Sequence, residues 1–192
     1  MNIIKHEISK KLFVKMLISI LMCISVGSIV LVLCNRDAFL PKWIMWENGT
    51  LQDASGQYEI TLTRKRVSVS HGDGIIWTSP KDIKVQNMLS GDIDHDGQDE
   101  LVLLCWRKGH YGDVKPIWVE EDEQKWVQHI FVYEYVQEDV EAKWMSSYIG
   151  RDIADITMQE RDTFGTVLCL TETGGERSFW VWESWGFTKI EN

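Results

Sequence analysis

Two hydrophobic patterns divide the chain. Residues 16–34 are nineteen positions without a charge, interrupted only by Ser19, Ser25, Gly27 and Ser28. At about 1.5 Å per residue such a helix crosses a hydrocarbon layer of roughly 30 Å. After residue 50, helical periodicity gives way to two-residue alternation. Tyr58, Ile60 and Leu62 alternate with Glu59, Thr61 and Thr63, and Val67 and Val69 alternate with Ser68 and Ser70. Alternation of this kind predicts half-buried strands. His71-Gly72-Asp73-Gly74 supplies a turn tolerant of positive φ, and Ile75-Ile76-Trp77 begins another strand. The prediction is a transmembrane helix at 16–34, a juxtamembrane linker at 35–50, and an all-β antiparallel domain at 51–192.

Charge orients the helix. Lys5, Lys10, Lys11 and Lys15 precede it in a basic tail at 1–15, whereas only Arg36 and Lys42 follow closely. The positive-inside bias places that tail in the cytoplasm and the β domain outside, as a single-pass protein of the cell membrane. A cleaved signal peptide would carry a shorter apolar run and small residues before its cut site, and Val32-Leu33-Cys34 offers neither. Trp43 and Trp46 suit either the headgroup level or the folded domain. Beyond residue 34 the chain carries 16 basic and 28 acidic residues, a net −12. That field excludes general attraction to nucleic acid or anionic lipid.

Within the acidic domain one loop stands out: Asp92-Ile93-Asp94-His95-Asp96-Gly97-Gln98-Asp99-Glu100. Oxygen donors at alternate positions of a tight turn can converge on a hard cation, and Ca²⁺ takes six to eight of them. Asp92, Asp94, Asp96 and Glu100 are the candidate side-chain ligands, and Gln98 the candidate backbone carbonyl. An EF-hand requires flanking helices and Glu at position twelve. Here position twelve is Leu103, within Leu101-Val102-Leu103-Leu104-Cys105-Trp106, which predicts a buried strand. With Gly91 before it and Glu100-Leu101-Val102 after it, the loop resembles the FG-GAP/VCBS repeats, which build Ca²⁺-bearing blades in β-propellers of surface and secreted proteins. The resemblance covers about a dozen residues. Glu100 stands where that family usually has Asp. The resemblance implies a Ca²⁺ cofactor, propeller-blade-like antiparallel repeats, and an Asp99 that points away from the ion.

The chain also echoes itself. Trp77-Thr78-Ser79 returns as Trp144-Met145-Ser146, 101–105 as 167–170, and Phe131-Val132-Tyr133-Glu134 as Trp180-Val181-Trp182-Glu183. Two diverged units follow, at about 77–135 and 144–185. The second has Glu160, Asp162 and Thr163 where the first has its aspartates, so no second ion is expected. Two units and a preceding meander fall short of the four or so blades that close a propeller, unless another chain completes the assembly.

The first unit carries about 17 extra residues within 107–128. Long insertions on β scaffolds commonly carry binding surfaces. Trp106, His110, Tyr111, Trp118 and Trp126 are the candidate ligand contacts there, with Gly112 and Pro116 shaping the loop; the competing reading is a flap that extends the core. Catalytic signatures are missing: no zinc spacing of histidines, Gly-x-Ser-x-Gly elbow, phosphate loop or dinucleotide fingerprint occurs. Cys105 and Cys169 fall in apolar strands, as buried thiols or as a pair. Asn48-Gly49-Thr50 is a glycosylation sequon. The functional expectation is a membrane-anchored, extracytoplasmic, calcium-binding β module without catalysis, contacting a protein partner or an envelope polymer. The alternative is an accessory subunit or hydrolase of envelope polysaccharide acting through the insertion.

Overall fold

A computed structural model describes residues 2–34, 40–111, 117–137 and 139–191. Among the described residues the protein is mostly β, its strands in three antiparallel sheets, preceded by one apolar helix. The chain divides into two compact units, Met1–Pro41 and Lys42–Asn192.

Helix α1 runs Asn2–Cys34, so it includes most of the basic tail as well as the apolar stretch. Lysine is a good helix former, and nothing in the tail breaks the helix. The apolar run sets where a membrane could lie, not where helical hydrogen bonding begins. Phe13–Leu31 is a 19-residue window of mean hydropathy 2.3, long and apolar enough to cross a membrane.

Among the described residues the second unit contains twelve strands: β1 (Gly49–Gln52), β2 (Tyr58–Thr63), β3 (Arg66–His71), β4 (Gly74–Thr78), β5 (Lys84–Gly91), β6 (Glu100–Lys108), β7 (Trp126–Val136), β8 (Asp139–Met145), β9 (Ile153–Arg161), β10 (Gly165–Glu172), β11 (Arg177–Glu183) and β12 (Gly186–Ile190). They form three four-stranded meanders, β1–β4, β5–β8 and β9–β12, each laid down in chain order. The three sheets stand where the sequence predicts a meander followed by two units. The matched segments fall at like positions of successive sheets: Trp77 and Trp144 lie in the fourth strands β4 and β8, while 101–105 and 167–170 lie in the second strands β6 and β10. The predicted boundaries are one strand out of phase, because a unit cut at Trp77 begins with the last strand of the preceding sheet.

Packing explains the patterns. Ile60, Leu62, Val67 and Val69 of the first sheet meet Val85, Leu101, Leu103, Cys105, Phe131 and Tyr133 of the second in one buried cluster. The opposite face of the second sheet, through Val102, Leu104, Ile130 and Val132, meets Ile153, Ile156, Leu168 and Leu170 of the third. The middle sheet is buried on both faces, which is why β6 reads as a continuous apolar run and not as an alternation. The far face of β2 and β3 carries Glu59, Thr61, Thr63, Ser68 and Ser70, and these strands accordingly alternate. Cys105 and Cys169 are both buried free thiols and belong to different clusters, so they do not pair.

The predicted linker also folds. Glu47 N–H donates to the Gln86 carbonyl at 3.2 Å, and the Asn87 amide donates to the Glu47 carboxylate at 3.2 Å. The Trp43 ring lies 5.9 Å from that of Trp106, and the Lys65 ammonium sits 4.2 Å above Trp46. Residues from 42 onward thus belong to the β unit, and both tryptophans pack on it. Arg36 lies outside the described residues.

A buried polar latch joins the second and third sheets. Gln86 Oε1 accepts from Trp106 Nε1 at 2.8 Å and from Gln128 Nε2 at 2.9 Å, while Gln86 Nε2 donates to the Ala154 carbonyl at 2.8 Å. Gln128 also donates to the Ile153 carbonyl and accepts from the Ile153 N–H, both at 2.7 Å. Buried polar groups are costly only when their partners are removed. Gln128→Leu strands the Ile153 N–H and one lone pair of Gln86, and leaves the Ile153 carbonyl to Gln86 Nε2 alone at 3.3 Å. The expected loss is about 2–4 kcal/mol, read from urea unfolding of the detergent-solubilised chain by tryptophan fluorescence; a loss below about 0.5 kcal/mol would show the latch to be energetically idle.

Candidate metal centre

The acidic loop connects β5 to β6, and its one apolar residue anchors it. Ile93 is fully buried in the cluster between the second and third sheets. Its neighbours Asp92 and Asp94 are thereby held on the outer side. Positive φ at His95 (65°) and Gly97 (90°) closes the turn. A non-glycine residue is strained at position 97 by its backbone angle, not by crowding, since nothing lies within 4 Å of the missing Cβ.

The loop's own backbone fixes the carboxylates. Asp92 accepts from the N–H groups of Asp96 and Gly97, both at 3.1 Å. Asp94 accepts from Asp96 N–H at 3.3 Å, Asp96 from Gln98 N–H at 2.8 Å, and Glu100 from Ile93 N–H at 3.1 Å. Asp92, Asp94 and Glu100 each place an oxygen within 4.8 Å of the others. Of the predicted ligands the structure brings these three together. Asp96 lies at the more exposed rim, and Gln98 enters through its N–H bond to Asp96. Asp99 faces elsewhere: its Oδ2 accepts from the Ala54 N–H at 2.6 Å, in the β1–β2 turn of the first sheet. On the other flank the His95 ring covers Gly165, where a Cβ would stand 2.7 Å from Nε2. The loop therefore touches the turns of both neighbouring sheets.

One residue of the site has no signal in the sequence. Lys143, on β8, places Nζ 2.5 Å from Asp94 Oδ2 and 2.7 Å from Glu100 Oε1, with Glu134 Oε2 at 3.6 Å and Asp96 Oδ2 at 3.7 Å. It lies 43 positions from Glu100, so no local spacing reveals it. Burial alone would lower its pKa, but hydrogen bonds and charge from Asp94 and Glu100 outweigh that, holding the ammonium protonated. Burial pushes the Glu100 carboxyl up, opposed by Lys143 and by the Ile93 N–H. The charged form is the one consistent with an ammonium at 2.7 Å. The Lys143 ammonium marks the position of positive charge in an all-oxygen donor set, the chemistry a hard divalent ion requires. Asp96, Gln98, Glu100 and Glu134 line a surface depression that opens this set to solvent.

The insertion falls inside 107–128, bounded by paired strand ends. Arg107 and Lys108 pair with Val127 and Trp126 across β6 and β7, leaving 109–125 as the loop. Asp122 secures it by accepting from His110 N–H at 2.8 Å and Tyr111 N–H at 3.0 Å. Trp106 is buried and bonded to Gln86, so it is a packing residue and not a ligand contact. Trp126 is half-buried, with the Lys84 and Lys108 ammonium groups 5.1 and 5.8 Å from its ring centre. His110 stacks on Tyr148 at 4.7 Å, with Tyr111 edge-on at 6.3 Å. At the tip Ile117 and Trp118 are 98% and 80% exposed. Gly112 and Pro116 lie outside the described residues. The candidate contacts do not converge on one cleft; they divide between core, flank and tip. Comparison with family models, with curated proteins and with solved structures found no match.

Proposed function

We propose that the protein is a membrane-anchored β module whose β5–β6 loop binds Ca²⁺, with a structural and binding role and no chemistry of its own. The observation that carries this reading is the convergence of Asp92, Asp94 and Glu100 on a single point, braced by backbone N–H bonds within the loop. Asp96 and the Gln98 carbonyl complete the proposed ligand set. The three meanders are read as blades of a propeller-like stack, in keeping with their identical strand order and with the loop's resemblance to FG-GAP/VCBS repeats. The lysines before the helix favour a β unit outside the cell, where millimolar Ca²⁺ fills sites with Kd of about 10⁻⁴ to 10⁻³ M. The exposed Ile117 and Trp118 supply the contact surface for a protein or glycan partner, while the scatter of the insertion's aromatics speaks against a hydrolase cleft.

An ion bound only by the folded state adds RT ln(1 + [L]/Kd), about 1.4 kcal/mol at tenfold and 2.7 kcal/mol at hundredfold excess. Calcium is expected to raise the melting temperature of the chelated protein by roughly 3–10 °C, and more than Mg²⁺, which needs a tighter octahedral shell. Asp94→Ala abolishes that response. Asp99→Ala lowers stability by losing the bond to Ala54 but keeps the response. A wild-type melting temperature unmoved by several millimolar Ca²⁺ rejects the calcium reading.

Orientation has its own test. Protease added to spheroplasts is expected to digest residues 42–192 and leave a membrane-embedded fragment the size of the helix. Protection of the β unit would reverse the topology, and its release into the medium would show that the helix is cleaved.

A further inference from the structure

The loop already holds a cation, and it is part of the chain. We propose that Lys143 is a tethered counter-ion that competes with Ca²⁺ for the loop carboxylates, so that the site fills only above a set calcium level. The inference rests on the calcium reading and concerns how that site is regulated.

Geometry makes the two cations mutually exclusive. The ammonium stands 2.5 and 2.7 Å from one oxygen each of Asp94 and Glu100, two of the three residues that converge. Calcium binds oxygen at about 2.3–2.6 Å, so an ion on those same oxygens would lie almost in contact with Nζ. Charge then decides that exchange is worthwhile. Asp94, Asp96, Glu100 and Glu134 stand within 3.7 Å of a single ammonium, with Asp92 beside Asp94 and Glu100, which leaves a large negative surplus for a divalent ion. Lysine's one charge is enough to hold the loop together without an ion, and not enough to neutralise it.

The ammonium also has somewhere to go. Lys143 lies on β8, the edge strand of its sheet, and its side chain carries four rotatable bonds. Glu134 Oε2 is already 3.6 Å away on a side chain that is 39% exposed, so a short swing keeps the lysine paired and hydrated. Displacement costs the pairing with Asp94 and Glu100, and that cost weakens Ca²⁺ binding. Through Asp99 at Ala54 and His95 against Gly165, the loop's state is felt in the turns of both neighbouring sheets. Lys143 thus turns a permanent structural ion site into one that responds to concentration.

Lys143→Met keeps the apolar stem and removes the competitor. Titration of the full chain in detergent by calorimetry, using CaCl₂ as the only ligand, is expected to show at least tenfold tighter binding than wild type. The melting temperature is expected to cross over: below wild type in chelator, where the carboxylates repel unscreened, and above it in saturating Ca²⁺. Lys143→Arg retains the charge and is expected to bind no more tightly than wild type. Binding by Lys143→Met where wild type shows none would make Lys143 a permanent substitute for the ion and would overturn regulation by calcium level. Equal affinities for wild type and Lys143→Met, tenfold tighter binding by Lys143→Arg, or equal destabilisation of Lys143→Met with and without Ca²⁺ would each overturn the role of Lys143 while leaving the calcium site standing. If neither wild type nor Lys143→Met binds Ca²⁺, the calcium reading falls and this inference with it.

Discussion

A buried carboxylate at the head of the central strand is the constraint on which the site depends. Glu100 is 1% exposed and begins β6, the strand whose two faces feed both hydrophobic clusters between the sheets. Burying that charge costs several kcal/mol unless a cation and N–H donors offset it. The Ile93 N–H supplies one donor and Lys143 supplies the charge. The β5–β6 loop, the edge strand β8 and the central strand are therefore bound into a single electrostatic unit, and the proposed ion enters that unit in place of an existing charge.

The hydrophobic architecture makes the loop more than a surface turn. Ile93 is buried between the second and third sheets, Asp99 ties to the first sheet and His95 rests on a turn of the third. Gln86, Gln128 and Trp106 make a second polar connection deeper in the same inter-sheet space. Side-chain hydrogen bonds of this kind fix the relative register of sheets in a way that apolar contact alone does not. In the proposed reading, calcium strengthens a junction that the fold has already assembled.

Much of this was legible in the sequence, and the failures have physical causes. Alternation at Tyr58–Thr63 and the unbroken run after Glu100 correctly predicted a half-buried and a fully buried strand. The motif's spacing pointed to Asp92, Asp94, Asp96, Gln98 and Glu100, of which Asp92, Asp94 and Glu100 converge, while the outward Asp99 was implied by the resemblance to FG-GAP/VCBS repeats. Lys143 was invisible because its partners are far along the chain and an edge-strand lysine is ordinarily solvated. Trp106 was misplaced for a related reason: a tryptophan at the end of an apolar strand suits a cleft or a core equally, and only the distant Gln86 decides. The repeat boundaries slipped by one strand because similarity locates equivalent strands without saying which of them comes first in a sheet. Trp43 and Trp46 suited the headgroup level and the folded domain equally in the sequence, and only their distant partners, Trp106 and Lys65, seat them on the β unit.

In the proposed reading, one position among the loop carboxylates is shared by two alternative cations. Crystals grown with and without CaCl₂, with anomalous differences measured for the calcium-grown form, test it most directly. The expected result is an anomalous peak within about 2.3–2.6 Å of Asp92, Asp94, Asp96 and Glu100 oxygens, with Lys143 swung toward Glu134, and Lys143 back between Asp94 and Glu100 in the calcium-free form. A loop with no peak in millimolar calcium, or a peak with Lys143 unmoved beside it, would contradict the account.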